Sequence, residues 1–98
     1  MNKSAIIDTI KSSEAAIRAR GARALYLFGS VRHGRSRPDS DVDVLIDYDP
    51  TKKFSLIDLV AIKHLIEDRI QRPVDLLTRD GIDRRLRERI LADAEQVF

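Results

Sequence analysis

Two aspartates lie two positions apart in the stretch "DVDVLID", which runs from Asp41 to Asp47. Side chains alternate between the two faces of a strand, so Asp41 and Asp43 would project from one face and the valine between them from the other. Two ionised carboxylates this close repel each other, and a divalent cation removes that repulsion. Because Mg²⁺ binds a few carboxylates together with waters and phosphate oxygens, the pair predicts a magnesium site that a nucleotide completes.

A third acid, Asp75, lies in the apolar stretch "PVDLLT". A neighbouring strand could aim this carboxylate at the same side as Asp41 and Asp43, which would allow a site with two metal ions. A carboxylate within so apolar a strand is costly unless it binds a metal, is paired, or lies at the rim of the sheet. We expect Asp75 to be the third metal ligand; the alternative is a rim aspartate that pairs with an arginine.

The pair Gly29-Ser30 follows the apolar run "RALYLF". A glycine lets phosphate oxygens approach the backbone, and a serine hydroxyl and an N–H at a helix start can bind them. Taken alone, Gly-Ser after a strand is also a common turn. Its position, with ten residues between Ser30 and Asp41 and the second acid following at Asp43, favours a phosphate-binding corner.

The periodicity of the apolar residues predicts an α/β domain, with a small central sheet and helices packed on it. We expect a first helix capped by Ser4 and ended by Gly21, and a long, well-buried helix capped by Ser55. A last helix would begin at Asp80 or Asp83. The strands are expected over 23–28, 41–47 and 72–78, a loop or short helix over 31–40, and the inward positions of the last helix are Ile82, Leu86, Ile90 and Ala94.

Length and composition set limits on the class of protein. The chain has 98 residues, which indicates a single domain over 1–98, and its formal net charge of +2 is too small to indicate nucleic-acid binding by itself. It has no cysteine, which excludes disulfides, thiolate catalysis and cysteine-based zinc sites. Neither a signal sequence nor an apolar run long enough to span a bilayer is present, so we expect a cytoplasmic protein without membrane association.

The Gly29-Ser30 pair, ten intervening residues and then Asp41 and Asp43 resemble the signature of the nucleotidyltransferase superfamily that includes DNA polymerase β. The short chain and its element order are similar to the minimal nucleotidyltransferases (MNT), the antitoxins of toxin–antitoxin systems whose toxins carry a HEPN domain. The resemblance implies the polymerase β-like nucleotidyltransferase fold, with a small mixed central sheet, over nearly the whole chain. It implies that Gly29 and Ser30 hold the triphosphate of ATP. It further implies that Asp41, Asp43 and Asp75 are catalytic and bind two Mg²⁺ ions.

The same resemblance implies an activity and a partner. The chain would transfer AMP from ATP to a hydroxyl, such as that of a tyrosine of the HEPN toxin, and so neutralise the toxin. The third acid commonly serves as, or helps to form, the base for the attacking hydroxyl. A non-catalytic antitoxin that masks its toxin by binding, and a nucleotidyltransferase acting on a small molecule, stay open as alternatives. Homo-oligomers and hetero-oligomers both stay open, and the short chain does not favour direct nucleic-acid binding.

Basic residues near the corner have two interpretations. Arg32, Arg35 and Arg37 could reach phosphates, or they could form a solvated loop that balances the nearby acids. Family members often read Gly-Ser-x-Ala-Arg-Gly, whereas this chain has Arg32 and His33 before Gly34. This departure leaves the preference for the nucleotide base open. We expect His33 to be incidental and the arginines of 84–89 to form a charged outer helix face.

Overall fold

The computed structural model describes residues 2–32, 34 and 41–98, apart from the side chains of Ser30 and Val31. None of the helices in these residues is long and apolar enough to cross a membrane. A 3₁₀ turn, Arg79–Gly81, follows the third strand. The helices are α1 (Lys3–Ser12), α2 (Glu14–Ala19), α3 (Gly29–Arg32), α4 (Leu56–Ile70) and α5 (Arg87–Asp93), and the strands are β1 (Ala22–Phe28), β2 (Val42–Tyr48), β3 (Val74–Thr78) and β4 (Glu95–Gln96).

The four strands form one mixed sheet in the order β3-β2-β1-β4. β1 is antiparallel to both β2 and β4, whereas β2 runs parallel to β3. A parallel pair needs a crossover connection, which α4 supplies between β2 and β3. The expected fold class, a small mixed sheet with helices packed on it, is therefore confirmed.

The two faces of the sheet bury separate apolar clusters. The first face packs against α1, α2 and α4 through the larger core, which includes Leu27, Val44 and Ile66. The second face holds a smaller core around Phe28 and Leu45, against which two apolar residues of α5 pack. Alternation along β1 and β2 produces this division, because neighbouring strand residues point to opposite faces. Polar side chains near the start of β2 can therefore lie on the second face without disturbing the main core.

Helix α4 is less buried than its sequence predicts. It begins after Ser55 as expected, because the Ser55 hydroxyl accepts the N–H of Asp58 and the Asp58 carboxylate accepts the N–H of Ser55. Isoleucines at four-residue intervals face the sheet, and Leu59 of the first turns packs against the main core, but three other apolar residues of the first turns are exposed. The prediction of a well-buried helix is wrong for that half. The buried residues are Ile62, Ile66 and Ile70, and the exposed ones are Leu56 (73%), Ile57 (76%) and Val60 (40%).

The first predicted helix is two helices, α1 and α2. Its N-cap is Asn2 rather than Ser4, because the Asn2 side chain accepts the N–H of Ala5 at 2.8 Å. The helix breaks at Ser13, whose hydroxyl donates to the carbonyl of Thr9 at 3.1 Å. A serine that bonds back to a carbonyl one turn earlier disturbs the helix, and the sequence pattern continued across this break.

The last helix begins at Arg87, not at Asp80 or Asp83. The Asp80 carboxylate accepts the Tyr48 hydroxyl at 2.6 Å instead of capping a helix. The Asp83 carboxylate accepts the N–H of Arg85 at 2.9 Å, a local turn that competes with helix formation.

Only part of the predicted inward face of that helix is buried. Ile82 is buried and Ile90 packs against the second-face core, whereas Leu86 is 46% exposed, so its expected inward position is wrong. The arginines of 84–89 are exposed, as expected. β4 was not predicted, because a strand of two residues has no periodicity to detect.

Candidate active site

The strand register brings two of the predicted acids together on the sheet. Phe28 of β1 pairs with Asp43 of β2, and Asp43 pairs in turn with Asp75 of β3. Residues paired across neighbouring strands share a face, so Asp43 and Asp75 both lie on the second face, away from the main core. Asp41 lies directly before β2 and is exposed, as is Asp75. The alternation predicted for the acidic strand is thus confirmed, with Val42 buried in the main core.

Gly29 lies against the carboxylate of Asp43. This glycine follows β1 directly, is the first residue of α3, and has a φ of +71°. Side chains other than hydrogen rarely adopt this left-handed conformation. A Cβ atom at this position would also overlap Oδ2 of Asp43. Glycine is therefore required both by the backbone conformation and by the close approach of the acid.

The surroundings of Asp43 disfavour the ionised form of its carboxyl group. Its pKa is raised above the ordinary value, first by partial burial of the carboxyl and then by the negative charges of Asp75 and Asp41. Asp75 and Asp41 are thus each close enough to Asp43 for their negative charge to act on its carboxyl group. Such a cluster of acids favours a bound cation, because the cation removes both the repulsion and the cost of burying a charge.

We expect Asp43→Asn to raise the melting temperature by a few degrees at pH 7 in buffer that contains a chelator. Because the folded-state pKa of Asp43 is raised, its stabilising contribution is complete below the unfolded value near 3.8 and is lost as the pH rises through the folded value. Asparagine carries no charge at either pH, so the gain in melting temperature should shrink below pH 3.8. Thermal unfolding followed by circular dichroism at pH 7 and below pH 3.8 measures the difference.

The control for this comparison is Asp8→Asn, which removes one charge from an exposed position of α1. We expect it to leave the melting temperature unchanged at either pH. A lower melting temperature for Asp43→Asn than for the unmodified chain at pH 7 would contradict the electrostatic interpretation of the site.

The acids suit divalent ions that are completed by other ligands. The described residues contain no group of three His, Cys, Asp or Glu side chains that already closes around one ion. Asp41 and Asp75 are exposed, so their carboxylates are free to turn toward Asp43. Hard carboxylate oxygens and mutual repulsion fit Mg²⁺, which accepts few protein ligands and keeps waters and phosphate oxygens. Asp41, Asp43 and Asp75 are therefore the residues that would hold it.

Several of the other predicted residues lie outside the described part of the chain. His33, Arg35 and Arg37 are among these, and the same applies to the side chain of Ser30, whose backbone lies in the single turn of α3. Arg32 is described: its Nε lies 3.6 Å from Oε1 of Glu95. In the structure, Arg32 therefore contacts a carboxylate of the protein, that of Glu95.

Sequence reasoning missed two acids at the C-terminal end of the chain. Oδ2 of Asp93, the last residue of α5, accepts the backbone N–H of Gly29 at 3.0 Å. Glu95, in β4, lies beside Lys3 as well as Arg32, with its Oε1 3.1 Å from Nζ of the lysine. Neither acid has a spacing to the Gly-Ser pair that would reveal the contact, because the contact depends on how the short strand β4 joins the sheet.

A separate cavity of about 640 Å³ lies at the other end of the sheet, where its lining includes Arg23, Tyr48 and Arg79. Arg79 is held there by Asp47, with two guanidinium nitrogens 2.8 and 3.0 Å from the carboxylate oxygens. Neither Gly29 nor any of the three clustered acids lines this cavity. The candidate active site is therefore the open corner beside Asp43.

Comparison with known sequences points to one family. A family model described as a nucleotidyltransferase domain matches residues 10–97. A relative from Methanocaldococcus jannaschii, assigned the name protein adenylyltransferase, is 35% identical over 78 residues, which cover 80% of this chain and 82% of that one. The protein adenylyltransferase MntA of Thermococcus cleftensis is 27% identical over 77 residues, which cover 79% and 76% of the two chains.

Solved structures agree with this assignment. A structure described as a minimal nucleotidyltransferase superposes with a TM-score of 0.85 at 28% identity, covering 97% of this chain and 95% of that one. A tri-AMPylated HEPN toxin of Shewanella oneidensis in complex with its MNT antitoxin matches with a TM-score of 0.67 at 15% identity, covering 98% and 71%, which shows a shared fold. The chain belongs to the nucleotidyltransferase domain family, as its Gly-Ser and Asp-x-Asp signature predicted.

Proposed function

We propose that the chain is a Mg²⁺-dependent antitoxin that transfers AMP from ATP to a tyrosine hydroxyl of a HEPN-domain toxin and thereby neutralises it. The observation that carries the proposal is the clustering of Asp41, Asp43 and Asp75 beside Gly29. Relatives named protein adenylyltransferase support the transfer of AMP. The similar fold of an MNT antitoxin in complex with an AMPylated HEPN toxin supports the choice of partner.

In this proposal the corner and the acids have different tasks. The missing side chain of Gly29 leaves room for the Asp43 carboxylate, so the corner that would receive the triphosphate lies directly against this acid, and Ser30 follows in the same turn. Asp41, Asp43 and Asp75 hold two Mg²⁺ ions. When bound, these ions supply neutralisation of the phosphate charge and a lower pKa for the attacking hydroxyl. A crystal structure of a toxin–antitoxin complex with AMP-PNP, similar in fold with a TM-score of 0.71 at 19% identity, supports a nucleotide at such a site.

The proposed reaction is an in-line displacement at the α-phosphorus of ATP. A bond forms between the acceptor oxygen and the α-phosphorus, the bond from that phosphorus to the α,β-bridging oxygen breaks, and pyrophosphate leaves. We assign Asp75 as the group that accepts the hydroxyl proton, because it lies on the outermost strand and is exposed where an acceptor can approach. Positioning and charge stabilisation supply most of the rate in such transfers.

Mass spectrometry of the intact partner tests this proposal. A HEPN-domain protein, sought in the reading frames next to that of this chain, is incubated with the chain, ATP and Mg²⁺, and we expect its mass to increase by one or more AMP units. Replacing the acceptor tyrosine of the partner by phenylalanine should remove the increase. An unchanged partner mass after incubation with folded chain would overturn the assigned activity. An ATP-dependent adduct on a small hydroxylated molecule would favour the small-molecule alternative.

A further inference from the structure

The C-terminal residues 93–98 run along the central strand β1. The N–H of Leu25 donates to the carbonyl of Phe98 at 3.0 Å, and the N–H of Val97 donates to the carbonyl of Leu25 at 2.8 Å. Further along, Glu95 pairs with Leu27 in the antiparallel register. These contacts fix the segment directly beside the end of β1, where the chain turns into α3.

Asp93 holds the first residue of α3. Its Oδ2 accepts the N–H of Gly29 at 3.0 Å, and the contact is partly buried. A hydrogen bond to an ionised acceptor is stronger than one between neutral groups. Because Gly29 is the residue that lies against Asp43, this bond ties the position of the corner to α5.

Glu95 forms an ion pair, without a hydrogen bond to Nε, with Arg32, the last residue of the same helix. Its Oε1 lies 3.6 Å from Nε of Arg32 and 3.1 Å from Nζ of Lys3, so the acid joins α3 to α1. Arg32 is one of the two residues, with His33, at which this chain departs from the pattern Gly-Ser-x-Ala-Arg-Gly. The arrangement pairs that arginine with an acid of β4.

We propose that Asp93 and Glu95, which we call the C-terminal clamp, are positioning residues that hold α3 in the orientation needed to receive the triphosphate. The inference rests on the proposed function, because it assumes a nucleotide at the corner. A helix of four residues has too few internal hydrogen bonds to fix its own orientation, so its orientation depends on contacts with other elements. The clamp supplies such contacts at both ends of the helix.

A consequence concerns the role of Gly29. Its N–H is committed to Asp93, so the phosphates of the nucleotide are bound by other groups of the corner. Gly29 then contributes through its missing side chain and its left-handed backbone rather than as a phosphate donor. The sequence alone predicted that phosphate oxygens approach the glycine backbone, and that a serine hydroxyl and an N–H at the helix start bind them.

Two measurements on the full chain test the clamp. The first is hydrogen exchange of the Gly29 amide, followed by NMR without nucleotide, and the second is the steady-state kinetics of AMP transfer. We expect Asp93→Ala to accelerate Gly29 exchange by about tenfold and to raise KM for ATP by about tenfold, with kcat changed less than about threefold. Asp93→Asn keeps an oxygen acceptor and should restore both quantities to within about threefold of the unmodified chain.

The matched control is Glu88→Gln, an exposed acid in the same helix as Asp93. We expect it to change neither Gly29 exchange nor KM, whereas Glu95→Gln should raise KM by about threefold. A merely structural role would lower the melting temperature and the active fraction, and so kcat, without raising KM. If Asp93→Ala does not fold, the Asp93→Asn and Glu95→Gln double variant takes its place, with the same direction of change expected in KM.

Equal Gly29 exchange in Asp93→Ala and Glu88→Gln, or an unchanged KM in a folded Asp93→Ala, would overturn the clamp. The exchange measurement does not depend on catalysis. If the unmodified chain transfers no AMP, the proposed function fails, and the clamp is then decided by Gly29 exchange together with the affinity for AMP-PNP.

Discussion

Substituting Asp41 and Asp43 together by asparagine is expected to lower AMP transfer by at least about 10³-fold while leaving the chain folded. Both carboxylates would hold Mg²⁺. The charge of Asp41 raises the pKa of Asp43, so the two acids act together and neither can replace the other. Asparagine keeps the shape of each side chain but removes the negative charge that balances the ions. Intact mass of the HEPN partner against time gives the transfer rate.

The control for this double substitution is Asp8→Asn with Asp68→Asn, which removes the same charge from exposed positions on α1 and α4. Transfer by this control should stay within about twofold of the unmodified chain, since surface charges distant from a site contribute little. Transfer at the unmodified rate by the chain lacking Asp41 and Asp43 would show that these acids do not bind the catalytic ions.

The same variant separates a catalytic antitoxin from one that masks its toxin by binding. If AMP transfer neutralises the toxin, growth of cells that express the HEPN toxin should be restored by the unmodified chain and by the surface control. The variant lacking Asp41 and Asp43 should not restore growth, although it still binds the toxin in a pull-down. Full restoration of growth by that variant would instead support masking.

The features that depend on local periodicity could be predicted from the sequence. Alternation in β2 placed Val42 in the main core and Asp43 on the opposite face, as the structure has it. The prediction that Asp75 lies near this acid is also confirmed, because Asp43 and Asp75 are paired across parallel strands. A parallel neighbour is typical of strands joined by a helix, and the pattern of α4 indicated such a connection.

The features that depend on distant parts of the chain could not be predicted. Leu56 and Ile57 are apolar, but their exposure depends on how far α4 extends beyond the sheet, which no pattern within the helix reveals. The bond from Gly29 to Asp93 joins residues far apart in the sequence and depends on β4, a strand of two residues. Long-range contacts of this kind follow from the assembled sheet rather than from any local preference.

Gly29→Ala is expected to destabilise the fold by about 2–4 kcal/mol and to lower AMP transfer by at least about 100-fold. The left-handed backbone at φ +71° already disfavours alanine, and the new Cβ would overlap Oδ2 of Asp43. The overlap is removed only if the corner or the acid moves. Either movement would separate the triphosphate site from the metal ligands. Urea unfolding gives the loss of stability, and the intact mass of the partner gives the loss of transfer.

Gly34→Ala is the matched control, because Gly34 has nearly the same φ, +70°, but no atom of the described residues lies within 4 Å of the place where its Cβ would be. Its backbone cost should be about 1 kcal/mol, without a loss of the Asp43 position. The difference between the two alanine variants therefore isolates the overlap with Asp43. That difference should shrink when Asp43 is replaced by glycine, since the overlapping oxygen is then absent. Equal losses of stability in the two alanine variants would mean that Gly29 is required for its backbone conformation alone, and that the close approach of Asp43 to the corner does not exist in solution.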